Sequence, residues 1–154
     1  QQGCCSMMSK KNIWKTLAEK ETAALTKLFQ NKEALSIERK RLDARIADID
    51  SYVFEYTAGL KQESDIEFGV KKINDKMNMI TQLMTARSDL EVFRKGCDEA
   101  LGVLAHKISS HQAELLKFNK VRESQNKEYI LSLNREEDKE LDALALSNFT
   151  SAMK

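Results

Sequence analysis

Apolar side chains recur along the first part of the chain at alternating steps of three and four residues, the spacing that places them on one face of an α-helix. The pattern continues for six heptads and predicts a coiled-coil helix over residues 13–57. Ten of its thirteen positions are apolar or aromatic, and the other three are charged. The positions are Trp14, Ala18, Glu21, Leu25, Leu28, Lys32, Leu35, Arg39, Leu42, Ile46, Ile49, Val53 and Tyr56.

A second stripe with the same spacing predicts a longer helix over residues 66–148. The stripe thins between Arg87 and Arg94 and resumes in a different phase, which we interpret as a stutter in the repeat. Beyond Phe118 the pattern loosens. Its first part comprises Ile66, Val70, Ile73, Met77, Ile80 and Met84, and its second part Leu90, Cys97, Leu101, Leu104, Ile108, His111, Leu115 and Phe118.

A short segment between the two helices predicts the tip of a hairpin. Residues 58–65 interrupt the apolar pattern. Gly59 suits the left-handed conformation that commonly ends a helix. Ser64, followed three residues later by Glu67, resembles a capping box at the start of the next helix. The two helices are therefore expected to run antiparallel.

The predicted fold is all-α, a long two-helix antiparallel coiled-coil hairpin in which helix two is longer than helix one. The hairpin is expected to occupy residues 13–148 as one elongated domain. Residues 1–12 are expected to form a disordered tail and residues 149–154 a second tail. Met7 and Met8 are both candidates for the true start of the protein.

The unequal helix lengths predict that part of helix two has no helical partner. An α-helix rises about 1.5 Å per residue, so helix one covers helix two only to about residue 112. Because an isolated amphipathic helix is marginally stable in water, we expect the uncovered part to bind a partner. The apolar side chains that it would expose are Leu115, Leu116, Phe118, Val121, Ile130 and Leu131.

Composition supports long helices and argues against several classes of protein. The 154 residues include no proline, 5 glycines and 32% charged residues. A net charge of +1 does not support nucleic-acid binding, and no stretch of about 18 apolar residues is present to span a membrane. The three cysteines, Cys4, Cys5 and Cys97, are odd in number, which fits a reducing cytoplasm better than a disulfide framework.

No motif for catalysis, a cofactor or a metal is present in the sequence. There is no glycine-rich phosphate-binding loop. His106 and His111 are five residues apart and lie on different helix faces, so they make a poor pair of metal ligands. The acidic residues of 136–142 have no pocket to shift their pKa values, and a solvated face is expected there. We therefore expect a protein that is not an enzyme and has no cofactor or metal site.

Three stretches of the chain resemble the FliJ family, the small coiled-coil component of the bacterial flagellar type III export apparatus. Residues 13–28, IWKTLAEKETAALTKL, are similar to the family's N-terminal signature. Residues 49–60, IDSYVFEYTAGL, resemble its I-D-x-x-x-x-Y segment, and residues 121–145, VRESQNKEYILSLNREEDKELDALA, resemble its final helix. The stretches occur in the family's order.

This resemblance implies a fold and a role. FliJ proteins are antiparallel two-stranded coiled coils with one longer helix, similar to the γ-subunit stalk of rotary ATP synthases. The resemblance implies a stalk that binds the hexameric export ATPase, promotes its assembly and activity, and couples it to the membrane export gate protein FlhA. It also implies an escort role for export chaperones and a location in the cytoplasm, peripheral at the cytoplasmic face of the inner membrane.

The resemblance further implies two sets of binding residues. The export-gate set is Ile49, Tyr52, Tyr56, Ile73, Met77, Ile80 and Met84. Its last four members have the family's spacing on helix two without the family's aromatic and histidine. The ATPase set, from the closing pattern, is Arg122, Gln125, Arg135, Asp138 and Asp142.

Two alternative functions fit the same architecture. One is the equivalent stalk of a virulence type III secretion system, as in the YscO-like proteins. The other is a generic coiled-coil scaffold that dimerises through its exposed seam.

Overall fold

The computed structural model describes the backbone of residues 2–63 and 69–154, and the side chains of residues 13–62 and 69–154. The described part contains two α-helices and no strand. Helix α1 spans Gln2–Glu63 and helix α2 spans Val70–Ala152, with 62 and 83 residues respectively. The prediction of an all-α, two-helix fold with a longer second helix is confirmed.

Both helices extend further than the apolar pattern predicts. Helix α1 includes residues 2–12, which the sequence assigns to a tail, and passes through Gly59. Helix α2 continues beyond residue 148. A helical glycine costs only about 1 kcal/mol relative to alanine, and without proline nothing in these stretches forces a break. The side chains of Cys4 and Cys5 lie outside the described residues.

The glycine with a left-handed backbone is Gly69, so the assignment of that role to Gly59 is wrong. Gly69 has a φ of 87° and directly precedes α2. Its carbonyl oxygen accepts a hydrogen bond from the backbone N–H of Ile73 at 3.2 Å, which begins the helix. Glycine is suited to this position because a side chain would be strained at positive φ. The predicted capping box of Ser64 and Glu67, together with Ile66, lies outside the described residues.

The two helices pack in two compact units, which are described separately. We call Thr26–Ile108 the middle unit. We call Gln1–Leu25 together with Ser109–Lys154 the end unit, because it contains both ends of the chain.

In the middle unit the two helix segments run antiparallel. Asp43 of α1 pairs with Arg94 of α2, and Asp50 pairs with Arg87. A step of seven residues forward along α1 is thus matched by seven residues backward along α2, as an antiparallel heptad repeat requires. Leu42 and Ile46 are buried in the seam between the two segments.

The end unit has the same antiparallel arrangement. The Nδ1 of His111 lies within hydrogen-bond distance of the Glu21 carboxylate. Seven residues further along α2, the ring of Phe118 packs on Trp14, with ring centroids 5.9 Å apart and a tilt of 42°. Leu25 of α1 is buried beside this pairing. The packing therefore continues past the limit near residue 112 that the helix lengths predict.

The seam of α1 follows the predicted positions closely. Twelve of the thirteen side chains are buried or half-buried, and only Lys32 is exposed. The seam thus tolerates Glu21 and Arg39, each of which pairs with a charged or ionisable side chain of α2. The prediction for α1 is confirmed.

The seam of α2 differs from the prediction because its heptad register is unbroken. Met77 and Met84 are 55% and 48% exposed, and their neighbours Lys76 and Leu83 are half-buried instead. Arg87 and Arg94 occupy seam positions, so the apolar pattern thins without any change of phase, and the predicted stutter is wrong. The half-buried and buried series is Ile73, Lys76, Ile80, Leu83, Arg87, Leu90, Arg94, Cys97, Leu101, Leu104, Ile108, His111, Leu115, Phe118, Arg122 and Gln125.

A search of the described helices for an apolar stretch long enough to cross a lipid bilayer found none.

This register predicts different costs for two neighbouring substitutions. We expect Leu83→Ala to lower the free energy of unfolding by about 2 kcal/mol, because it removes a side chain that packs in the seam. Met84→Ala, one position away, should change it by less than about 0.5 kcal/mol. Chemical denaturation followed by circular dichroism measures both values. An equal or larger cost for Met84→Ala would show that Met84, and not Leu83, packs in the seam.

Candidate functional site

The candidate sites of this protein are surfaces of its two helices. Within residues 13–62 and 69–154, no group of three His, Cys, Asp or Glu side chains is close enough to hold a metal ion. Cys97 is a free, half-buried thiol in the α2 seam. We therefore describe the surfaces on either side of the seam and beyond its end.

One side of the middle unit carries a shallow groove, and we call it the groove side. Ile49 of α1 and Leu90 of α2, both half-buried seam residues, form its apolar floor. Ala86 is too small to fill the space beside them. The complete lining is Arg45, Asp48, Ile49, Ala86, Asp89 and Leu90. An apolar floor with a charged rim is suited to a peptide or helix from another protein.

The opposite side of the middle unit carries ion pairs between the helices, and we call it the charged side. Arg39 Nε donates a hydrogen bond to Asp98, and Arg87 Nε donates one to Asp50 at 2.6 Å. Within α2, Arg87 also contacts Glu91 at 2.7 Å. These arginines lie in the seam and extend outward, so their aliphatic parts are half-buried while their charges stay in water.

The ion pairs of the charged side raise the pKa of their arginines. Asp98 raises the pKa of Arg39, chiefly by accepting its hydrogen bond, and the charge of Asp43 adds to the effect. Asp50 raises the pKa of Arg87 in the same way, with a smaller contribution from Glu91. A raised pKa stabilises the folded state at every pH below it. Both guanidinium groups therefore keep their charge across the range in which proteins are studied.

The predicted export-gate residues do not form one surface. Tyr52 is 53% exposed and lies seven residues from Arg45, which places it on the groove side. Met84 lies seven residues from Glu91, which places it on the charged side, and Met77 lies seven residues further back on that side. Four members of the set are half-buried seam residues: Ile49, Tyr56, Ile73 and Ile80.

Phe93 is an exposed aromatic that the sequence pattern did not single out. It is 65% exposed and lies seven residues from Ala86, on the groove side. Its neighbour Val92 is 69% exposed. The sequence signal was two adjacent large apolar residues, Val92 and Phe93, within a charged stretch where the predicted apolar stripe thins. Once Arg87 and Arg94 are assigned to the seam, Phe93 is clearly outside it.

The predicted ATPase residues divide between the seam and the solvent. Arg122 and Gln125 are half-buried at the end of the α2 seam, and the side-chain oxygen of Gln125 has no hydrogen-bond partner among the described residues. Arg135, Asp138 and Asp142 are exposed, and steps of three and four place them on one face of α2. These three are the fully exposed members of the set.

The half-buried heptad positions of α2 end at Gln125, and we call residues 126–154 the terminal segment. Every residue in it is exposed except Ser132, which is half-buried. It carries six acidic and four basic side chains. Its large exposed apolar side chains are Tyr129, Ile130, Leu131, Leu133, Leu141, Leu144, Leu146, Phe149 and Met153. This much apolar surface on one helix is typical of a segment that binds another macromolecule.

The fold is that of an all-α helical hairpin with a longer second helix. Comparison of the chain with protein-family models, with curated proteins and with solved structures found no match in any of the three.

The boundary of the terminal segment predicts a contrast between two phenylalanines. Phe118→Ala removes the ring that packs on Trp14, and we expect it to lower the free energy of unfolding by about 2 kcal/mol. Phe149→Ala, in the terminal segment, should change it by less than about 0.5 kcal/mol because that ring is exposed. Thermal and chemical unfolding of both variants provide the measurement. Similar costs for the two would mean that the terminal segment is packed.

Proposed function

We propose that this protein is a stalk of the flagellar type III export apparatus that binds the hexameric export ATPase, promotes its assembly and activity, and couples it to the export gate protein FlhA. The observation that carries the proposal is the terminal segment, a helix with apolar side chains exposed beyond the end of a paired seam. The resemblance of residues 13–28, 49–60 and 121–145 to the FliJ family supports it. Escort of export chaperones and a peripheral position at the cytoplasmic face of the inner membrane belong to the same proposal.

The stalk acts by contact rather than by catalysis. A helix in the channel of a ring presents a different set of side chains to each subunit around it. Arg135 with Asp138 and Asp142 forms one face of the terminal segment, whereas the exposed Leu133 and Leu144 lie on the opposite face. Subunits that contact different faces gain different interaction energies, which is the condition for holding them in different conformations.

The gate contact belongs to the groove side of the middle unit. A single linker segment of the gate protein reaches only one side of a two-helix unit at a time. The groove side offers an apolar floor at Ile49 and an exposed aromatic at Tyr52. Aromatic side chains beside a groove are common anchors of binding energy. Met77 and Met84 lie on the other side and are outside this contact.

A truncation tests the ATPase contact. A chain that ends at Gln125 keeps the whole seam and lacks only the terminal segment. We expect the full chain to accelerate ATP hydrolysis by the export ATPase and the truncated chain to have no effect, because it lacks the exposed face. A coupled assay of phosphate release measures hydrolysis, and native mass spectrometry measures assembly of the hexamer.

The control for the truncation is the full chain with Leu116→Ala, which changes an exposed apolar residue outside the terminal segment. It should stimulate as the unaltered chain does. Absence of stimulation by the full chain would exclude the stalk function with that ATPase. Stimulation of an injectisome ATPase in place of the flagellar one would support the YscO-like alternative.

A pair of substitutions tests the gate contact. Tyr52→Ala should weaken binding to the linker of FlhA about tenfold, which corresponds to about 1.4 kcal/mol. Met84→Ala, on the charged side, should leave binding unchanged. Isothermal titration calorimetry with a linker peptide measures both. If Met84→Ala weakens binding and Tyr52→Ala does not, the gate contacts the charged side.

A further inference from the structure

Helix α2 carries a second stripe with heptad spacing, and its members are exposed apart from the half-buried Ala100. It lies beside the seam, partly on the groove side, and we call it the outer stripe. Phe93 and Val103 are its large apolar members, and they are 65% and 56% exposed. Small residues lie between them. The outer stripe consists of Ala86, Asp89, Phe93, Gly96, Ala100, Val103 and Lys107, all within the middle unit.

The outer stripe has the composition of a helix-packing surface. Its steps alternate between three and four residues, as in the seam, so its members lie on one face. A Cβ atom placed on Gly96 would meet nothing within 4 Å, so the space above that position is open. Small residues at the centre of a stripe allow a second helix to approach closely, and large residues at either side then pack against it.

We infer that a second copy of this chain packs antiparallel on the outer stripe, with α2 against α2 about a two-fold axis. When Gly96 is placed opposite Ala100 of the second copy, the same register places Phe93 opposite its Val103. In that register Asp89 lies opposite Lys107 of the second copy, and the two-fold axis repeats every contact. The outer stripes of the two copies therefore complement each other in shape and in charge.

The charges at the two ends of the outer stripe are what favour a second copy over another partner. Asp89 and Lys107 are both exposed, and neither forms an ion pair within the part of the chain that the structure describes. They carry opposite charges and lie nine residues to either side of residue 98, through which the two-fold axis passes. Antiparallel pairing therefore brings opposite charges together at both ends of the contact.

One residue opposes this association and makes the register testable. Glu99 is exposed at the edge of the outer stripe, next to the two-fold axis, so the two copies bring their Glu99 carboxylates near each other. Like charges repel, and the dimer is therefore weakened by this pair. Glu99→Gln should tighten the dimer several-fold.

Charge reversal tests the pairing of Asp89 with Lys107. Sedimentation velocity of the full chain over a concentration series should show a monomer–dimer equilibrium. Asp89→Lys and Lys107→Asp should each raise the dimer Kd about tenfold, since each places like charges together at both ends. The double variant restores opposite charges and should return the Kd close to its original value. Circular dichroism checks that each variant keeps its helices.

A matched pair of phenylalanines tests the apolar part. Phe93→Ala should weaken the dimer, and Phe54→Ala should not, because Phe54 is 75% exposed on α1 and lies off the outer stripe. A chain that is monomeric at every concentration would overturn the inference. A dimer whose Kd is unchanged by Phe93→Ala would also overturn it. The same holds if the double charge reversal does not return the Kd towards its original value, or if removal of the terminal segment abolishes the dimer.

Discussion

The unbroken heptad register of the seam is the constraint on which the other features of this protein depend. Each helix presents one side chain to the other at steps of three and four residues, and the antiparallel pairing fixes which residues meet. The ion pairs of Asp43 with Arg94 and Asp50 with Arg87 repeat at intervals of seven on both helices. Most side chains outside these positions are exposed to solvent. The groove side, the outer stripe and the terminal segment are therefore consequences of where the seam runs.

Most of the fold could be predicted from the sequence, because α1 carries apolar residues at nearly every seam position. The register of α2 could not, for a physical reason. Arg87 and Arg94 pack their aliphatic parts in the seam and direct their charges to carboxylates of α1, so they leave no apolar signal. Where Leu83 and Met84 adjoin, both phases look apolar, and only the partner helix decides between them. The error in phase placed Met77 and Met84 in the seam and hid Phe93.

The two proposed activities use different parts of the molecule. The proposed ATPase contact uses the terminal segment, whose residues are exposed except for Ser132. The proposed gate contact uses the groove side of the middle unit, where Ile49 and Leu90 remain partly accessible between paired helices. Arg122 and Gln125 are half-buried at the last seam positions of α2. Arg135, Asp138 and Asp142 are the members of the predicted ATPase set that are exposed.

The cross-helix contacts also set an order of assembly. Asp50 and Arg87 are 37 residues apart in the chain, Asp43 and Arg94 are 51 apart, and Glu21 and His111 are 90 apart. The entropy lost on closing a loop grows with its length, so contacts with short separations form first and the pairing then proceeds towards the chain ends. By this argument the contacts of the end unit, Glu21 with His111 and then Trp14 with Phe118, form last. A partner that binds the end unit would therefore bind the part of the hairpin that opens at the lowest free energy.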